Sequence, residues 1–451
     1  MVRNILVAAG ALVAAHASAG VVGADYVNIL SLQPQTSAST DFTDALNAAL
    51  AGTVPVFMPQ TGVSYQINGT LAFGEGSSLV CDAGVQIISP PATTYIFNVT
   101  EPNVTIIGCT FIKPPGSANA MGVVSSNNFT WSGGGSSGTK GLFFDTPAAA
   151  NGIVENTLHV NGAASVIILK NGASNNSILN NEFENNAGFG VLSKWNANSN
   201  TISGNWTFGN GIELIAIAPD SWGNLISNNR AQGTGDNCIS IDGYNNVVTG
   251  NSGYHCAFHG LAIYGNNNIV TGNVMTGNGQ SHNPLFAFYN KDDTANYSGV
   301  LLYTNFGGAA QNNHIRENVV DDDQQIPTQA YGIGIGNSYY LAWAPGVSYP
   351  AGRQIYAQTT GNIYQANDVG VSGPTEPGCA GWYPTSCSDG AMTWAYQGNA
   401  PLQTNEPAGN MITGNLIRHY GVAPFNDLTT NHNNVYVSRH GRPAMRRESL
   451  P

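Results

Sequence analysis

The chain has 451 residues, of which only 9% are charged, with 55 glycines, 14 Lys plus Arg, 26 Asp plus Glu and a formal net charge of −12. An acidic chain this poor in cations argues against nucleic acid or membrane as a partner, because both need clustered positive charge. Soluble proteins usually carry about 25% charged residues, so solubility here must rest on amides, hydroxyls and glycine backbone.

In chain order, the first element is a secretory signal over residues 1–19. Arg3 supplies the positive start, Ile5 to Ala15 the apolar stretch, and Ala17-Ser18-Ala19 the small-residue cleavage site. The expected location is therefore secreted or periplasmic. No later stretch reaches the ~20 apolar residues of a membrane span. Six cysteines, an even number in an exported chain, favour disulfides, and the natural pairs are Cys81–Cys109, Cys238–Cys256 and Cys379–Cys387. Residues 40–59, "TDFTDALNAALAGTVPVFMP", read as an amphipathic helix and then a strand. Thr40 or Asp41 is the expected N-cap, and Phe42, Leu46 and Leu50 share one face.

From residue 176 onward the asparagines fall into register. Asn176-x-Ile178-x-x-Asn181 is followed by the same unit around Ile202, Ile226, Val248, Val270, Ile315 and Ile412, with gaps of 24, 24, 22, 22, 45 and 97 residues. The last two gaps are about two and four periods. A repeat of this length with one apolar residue between asparagines predicts one coil of a parallel β-helix per repeat. Stacked coils would lie ~4.8 Å apart, letting asparagines hydrogen-bond along the stack and satisfy turn backbone. A leucine-rich solenoid would need a leucine framework that is absent. The predicted fold is an all-β, right-handed, single-stranded parallel β-helix over residues 20–436, capped by the N-terminal helix. Long loops are expected around 320–400, where Tyr339, Tyr340, Trp343, Trp382 and Tyr383 could stack on sugars or cover the flank. Residues 437–451 read as a disordered basic tail, and the protein is expected to be a monomer.

Residues 234–260, "TGDNCISIDGYNNVVTGNSGYHCAFHG", concentrate unusual chemistry for so uncharged a chain. Short strands opening successive coils read Val191–Lys194, Ile212–Ile215, Ile239–Asp242 and Leu261–Tyr264. Alternation then sends Leu192, Glu213, Ser240 and Ala262 outward in one column, and Lys194, Ile215, Asp242 and Tyr264 in another. Glu213 and Asp242 would stand roughly 8 Å apart, within the ~6.5–9.5 Å that suits an acid and a base in inverting glycoside hydrolysis. Asp236 and His259 would sit in the adjoining turns. The alternative reading is a solvated acidic patch.

The stretch "GTVPVFMPQTGVSYQINGTLAFGEGSSLVCDAGVQI" resembles the entry coils of the pectin-lyase-like superfamily. "GDNCISI" followed by "CAFHGLAIYG" resembles the polygalacturonase family, whose hallmark is Gly-Asp-Asp-Cys, then Cys, then Gly-His-Gly. The resemblance implies that Asp236 is the general acid, His259 the site histidine, and Cys238–Cys256 a disulfide. Asn237 and Asn210 stand where that family has aspartates, and an amide cannot act as a base, so Glu213 or Asp242 would have to replace it. The family's Arg-x-Lys carboxylate clamp has no match near "FAFYNKDD", where Lys291 stands; Lys291, Tyr289, Lys194 and Tyr264 form the expected substrate-binding set.

The expected function is thus a secreted hydrolase cleaving a polysaccharide, without metal or other cofactor. A lyase or C5-epimerase on a uronate polymer is the alternative; it could use Lys194, Arg230, His259 and Tyr264, with Ca²⁺ held by Glu213, Asp236 and Asp242. A third possibility is a non-catalytic surface or binding protein.

Overall fold

The computed structural model describes residues 25–93, 95–114, 120–138, 140–280, 297–305, 308–336, 341–349, 354–357, 362–379, 386–389, 392–399, 407–427 and 434–437. The expected signal segment lies outside them, as do Tyr339, Tyr340, Trp382, Tyr383 and the expected basic tail save its first residue, Val437, which closes a strand. No helix among the described residues is long and apolar enough to cross a membrane. The chain divides into two units, residues 1–188 and 189–451.

The first unit begins with the helices Ile29–Leu32 and Thr43–Leu50, the second of which buries Leu46 and Leu50. Its N-cap position is Phe42, one residue later than expected. Asp41 still does the work of a cap, its Oδ1 accepting from the Thr43 N–H (3.0 Å) and hydroxyl (2.6 Å). Three parallel sheets then grow by one strand per coil. One runs Val56–Met58, Ser78–Cys81, Thr105–Ile107, Thr130–Ser132, Ile153–Glu155, Ser177–Leu179. The lumen of this unit is filled with aromatic rings: Phe97, Phe111, Phe129 and Trp131 are fully buried and in mutual ring contact. His159 joins them, stacked on Phe183 at 5.4 Å, its two ring nitrogens engaged by Ser136 and Thr157.

The second unit repeats the three-sheet plan with an aliphatic lumen. Its first sheet runs Thr201–Ser203, Leu225–Ser227, Val247–Thr249, Ile269–Thr271, His314–Arg316, Met411–Thr413 and Val435–Val437, all parallel. The repeat residues Ile202, Ile226, Val248, Val270, Ile315 and Ile412 fall on one inward row and are buried. The expected asparagine ladder is present on both sides of them. Asn251 Oδ1 accepts from the Asn229 N–H (3.0 Å) and side-chain amide (2.9 Å), while its own amide donates to the Ile226 carbonyl. Its N–H in turn reaches Asn273 Oδ1 at 2.9 Å. Each amide therefore satisfies turn backbone that has no strand partner. The tight corners need left-handed backbone, which Asn228, Asn245 and Asn267 adopt near φ 55°; asparagine tolerates that region better than other side chains.

The sheet that carries the candidate site comprises Val191–Ser193, Ile215–Ile217, Ile239–Ile241, Leu261–Ile263, Ser298–Asn305, Tyr331–Gly336 and Ala423–Asp427. The region read as long loops contains a five-stranded, largely antiparallel sheet of its own, between residues 341 and 399. It packs Tyr349, Ile355, Tyr364, Met392 and Trp394 into a small core. Trp343 lies half-buried against that core and donates its indole N–H to Asp389 Oδ2. The three cysteine pairs are disulfide-bonded as expected: Cys81–Cys109, Cys238–Cys256 and Cys379–Cys387.

Candidate active site

Strand register decides where each candidate side chain stands. Val191 pairs with Ile215, Ile215 with Ile239, and Ile239 with Leu261. The expected strand 212–215 is therefore shifted by three residues, and the outward columns change. One is Leu192, Ala216, Ser240, Ala262; the other continues from the strand ends as Lys194, Ala218, Asp242, Tyr264. Glu213 and Ile215 belong to neither. The Ile-Glu-Leu-Ile sequence has the alternation of a strand, but the 24-residue spacing between Asn200 and Asn224 puts the partner of Val191 at 215.

Glu213 instead occupies the turn just before its strand, in a third column with Asn237, His259 and Ser298. Backbone bonds continue the ladder through this turn, from the Leu214 N–H to the Cys238 carbonyl and from the Cys238 N–H to the His259 carbonyl. The Glu213 carboxyl is 3% exposed. Its Oε1 accepts from the Asn237 amide at 2.7 Å and its Oε2 from the Ser240 hydroxyl. Asn237 Oδ1 accepts from the His259 N–H at 3.2 Å, and His259 Nδ1 accepts from the Ser298 N–H at 3.0 Å. That last bond leaves the proton of a neutral imidazole on Nε2. Asp236 is buried beside them and takes the Asn237 N–H on Oδ1 at 2.9 Å.

This strap gives a physical reason for an amide at position 237. A carboxylate there would face the Glu213 carboxyl; the amide donates to it and accepts from His259. Asn237 was noticed in the sequence as a departure from a motif, and its role follows once Glu213 lies 24 residues before it, one coil away. Asn210, the other departure, is buried, and its carbonyl accepts from the Gly235 N–H.

Glu213, Asp236, Asp242 and His259 thus gather on consecutive coils, and the charges of Asp236 and Asp242 both act on Glu213. Lys194 lies at the far end of the strands, its Nζ 4.0 Å from the Trp195 ring centroid. Tyr264 packs edge-on against Tyr303. Tyr289 and Lys291 lie outside the described residues.

No protein-family model matches the sequence, and no curated protein matches it. Solved structures do match. The A-module of the Azotobacter vinelandii mannuronan C-5 epimerase AlgE6 is 13% identical, with a TM-score of 0.60 over 93% of this chain and 100% of that one. The catalytic domain of a GH87 α-1,3-glucanase in complex with nigerose is 12% identical, with a TM-score of 0.57 over 93% and 68%. An alginate lyase is 13% identical, with a TM-score of 0.53 over 94% and 92%. These likenesses show the fold, a right-handed parallel β-helix.

In this parallel β-helix the buried carboxyls of the site act on one another. Burial drives the Glu213 carboxyl well above the usual carboxylate range and neighbouring Asp236 drives it further, against the opposing bonds from Ser240 and Asn237. Burial also pushes Asp236 up to about 6, and holds His259 down at about 4. The environment thus favours the protonated form of Glu213, and at neutral pH His259 is neutral. Ca²⁺ requires carboxylates with oxygens to spare, and Glu213, buried and engaged through both oxygens, does not suit it.

A stability prediction follows for Glu213. Its folded pKa is raised, so the folded state holds the proton more tightly than the unfolded chain. That contribution is complete below the ordinary glutamate pKa and is lost as pH rises through the raised pKa of the folded state. Glu213→Gln keeps an acceptor for Asn237 and has no proton to lose. Its melting temperature should exceed the parent's at alkaline pH and match it near pH 4, read by circular dichroism melts.

Proposed function

We propose that the protein is a secreted glycoside hydrolase acting on a polysaccharide. Asp236 donates the proton to the leaving oxygen, and Asp242 activates the attacking water. Glu213 and Asn237 hold the geometry, and His259 stays neutral beside them. The observation that carries this reading is the gathering of three carboxyls on consecutive coils, with Asp236 pushed up to about 6. An acid poised near its working pH is what general-acid catalysis needs. Asp242, half-buried, suits the base better than Glu213, whose burial and two hydrogen bonds disqualify it. The sugar-acting proteins named among the structural neighbours support a polysaccharide substrate. Three disulfides support an exported protein.

A lyase or epimerase is the second reading, favoured by the neutral His259 and by the names of two neighbours. It is weaker because three carboxyls and one lysine would repel a polyuronate more than hold it. Incubation with a panel of neutral and acidic polysaccharides separates the cases. New reducing ends without absorbance at 235 nm are expected. A rise in both means elimination; neither signal, but a changed uronate composition by NMR, means epimerisation, and no change of any kind across the panel returns the protein to the non-catalytic class.

A further inference from the structure

The turn leaving the site strands carries an exposed aromatic row that the proposed chemistry does not use. Asn198, Trp222 and Tyr244 lie at matching positions of successive coils, joined by single parallel bridges. The Trp222 and Tyr244 rings are nearly parallel, 17° apart, with centroids 6.4 Å apart. Trp222 is 37% exposed and Tyr244 38%, and nearby Trp195 is 48% exposed. The Trp195 backbone is pinned by Asp220, two residues before Trp222. On the next coil the matching residue is Asn266, whose carbonyl accepts from the Asn245 N–H, so the turn does not require a ring. Isolated exposed apolar residues need no explanation, but a contiguous group does.

The row is continuous with the candidate site: Tyr244 is two residues from Asp242, and Trp195 is next to Lys194. Aromatic faces take the C–H face of a pyranose, and coils stack at ~4.8 Å, about the length of one sugar unit. A glycan lying along the helix axis would thus advance roughly one sugar per coil and could meet each ring in turn. The scarcity of cations on this turn, Lys194 being already over Trp195, favours neutral sugars. We propose that Trp222 and Tyr244, with Trp195 at their edge, form a glycan-binding platform for a neutral, linear polysaccharide chain whose neighbouring segment enters the site at Asp236 and Asp242. This rests on the polysaccharide reading above.

The test uses full-length protein made cleavage-deficient by Asp236→Asn. Affinity gel electrophoresis is run with mixed-linkage β-glucan, xylan, galactomannan, α-1,3-glucan made soluble by carboxymethylation, polygalacturonate and alginate as separate probes. At least one probe, a neutral one, should retard the protein. Adding Trp222→Ala with Tyr244→Ala should weaken that retardation by about tenfold or more, with the melting temperature checked. Trp222→Phe with Tyr244→Phe should restore most of it, which a merely folded-state effect of the alanines would not predict. Retardation unchanged in the alanine pair overturns the platform and leaves the hydrolase reading intact. Retardation lost in both the alanine and the phenylalanine pairs also overturns stacking as its basis. Ring-dependent retardation without cleavage by the parent upholds the platform and removes the hydrolase. Retardation by no probe overturns both.

Discussion

Asp236→Asn should lower kcat/KM by about 10²–10⁴ on whichever polysaccharide the parent cleaves, the range a general acid contributes. The substitution is close to isosteric and keeps Oδ1 to accept the Asn237 N–H, now 2.9 Å away. The fold should therefore survive, and removal of a buried carboxyl held up near 6 should leave the melting temperature at pH 7 equal or higher. Asp242→Asn should cost a similar factor if it supplies the base. Glu213→Gln should cost less than about tenfold, because its role is to hold Asn237 and Ser240 rather than to move a proton. Reducing-end assays on the three purified variants, each with a melting curve, give this order. Full activity in Asp236→Asn and Asp242→Asn, with normal melts, would remove the hydrolytic assignment. A dominant loss in Glu213→Gln instead would move the chemistry one coil back.

The fold was legible because it is periodic. Paired asparagines recur around each central apolar residue, and every such residue from Ile202 to Ile412 stands on one inward row. The Cys81–Cys109 disulfide fits the same logic: in a stack, cysteines about one coil apart become neighbours. The site was only partly legible, and the failure at Glu213 is instructive. Alternation over four residues, Ile212 to Ile215, imitates a strand, and short strands carry too little pattern to fix their own register. The asparagine spacing carries more information than the local alternation, and it points to Ile215. Burial of Glu213 and the amide strap through Asn237 then follow from register and could not be read from residue types alone. The sheet within residues 341–399 has no repeat to announce it, and its pairing depends on contacts such as Ile355 opposite Tyr364.

The same ladder that made the fold readable should be its most sensitive point. Asn251 is fully buried. Replacing it by leucine keeps the branched shape and the number of side-chain heavy atoms but strands the Asn229 N–H, one Asn229 side-chain bond and the Ile226 carbonyl, which lie 3.0, 2.9 and 2.9 Å from the amide that served them. Each buried group left unpaired costs about 1–3 kcal/mol. Asn251→Leu should therefore destabilise by roughly 3–6 kcal/mol, a large part of the ~5–15 kcal/mol that holds a typical domain. Asn245→Gly is the matched control. It lies on the same coil, exposed and left-handed at φ 56°, where glycine fits without strain. Its effect should stay within about 0.5 kcal/mol. Urea unfolding followed by tryptophan fluorescence compares the two, and coils contact only their neighbours, so the Asn251 variant should also broaden the transition. A loss below about 1 kcal/mol for Asn251→Leu would mean that strand pairing and lumen packing hold the coils together without the amides.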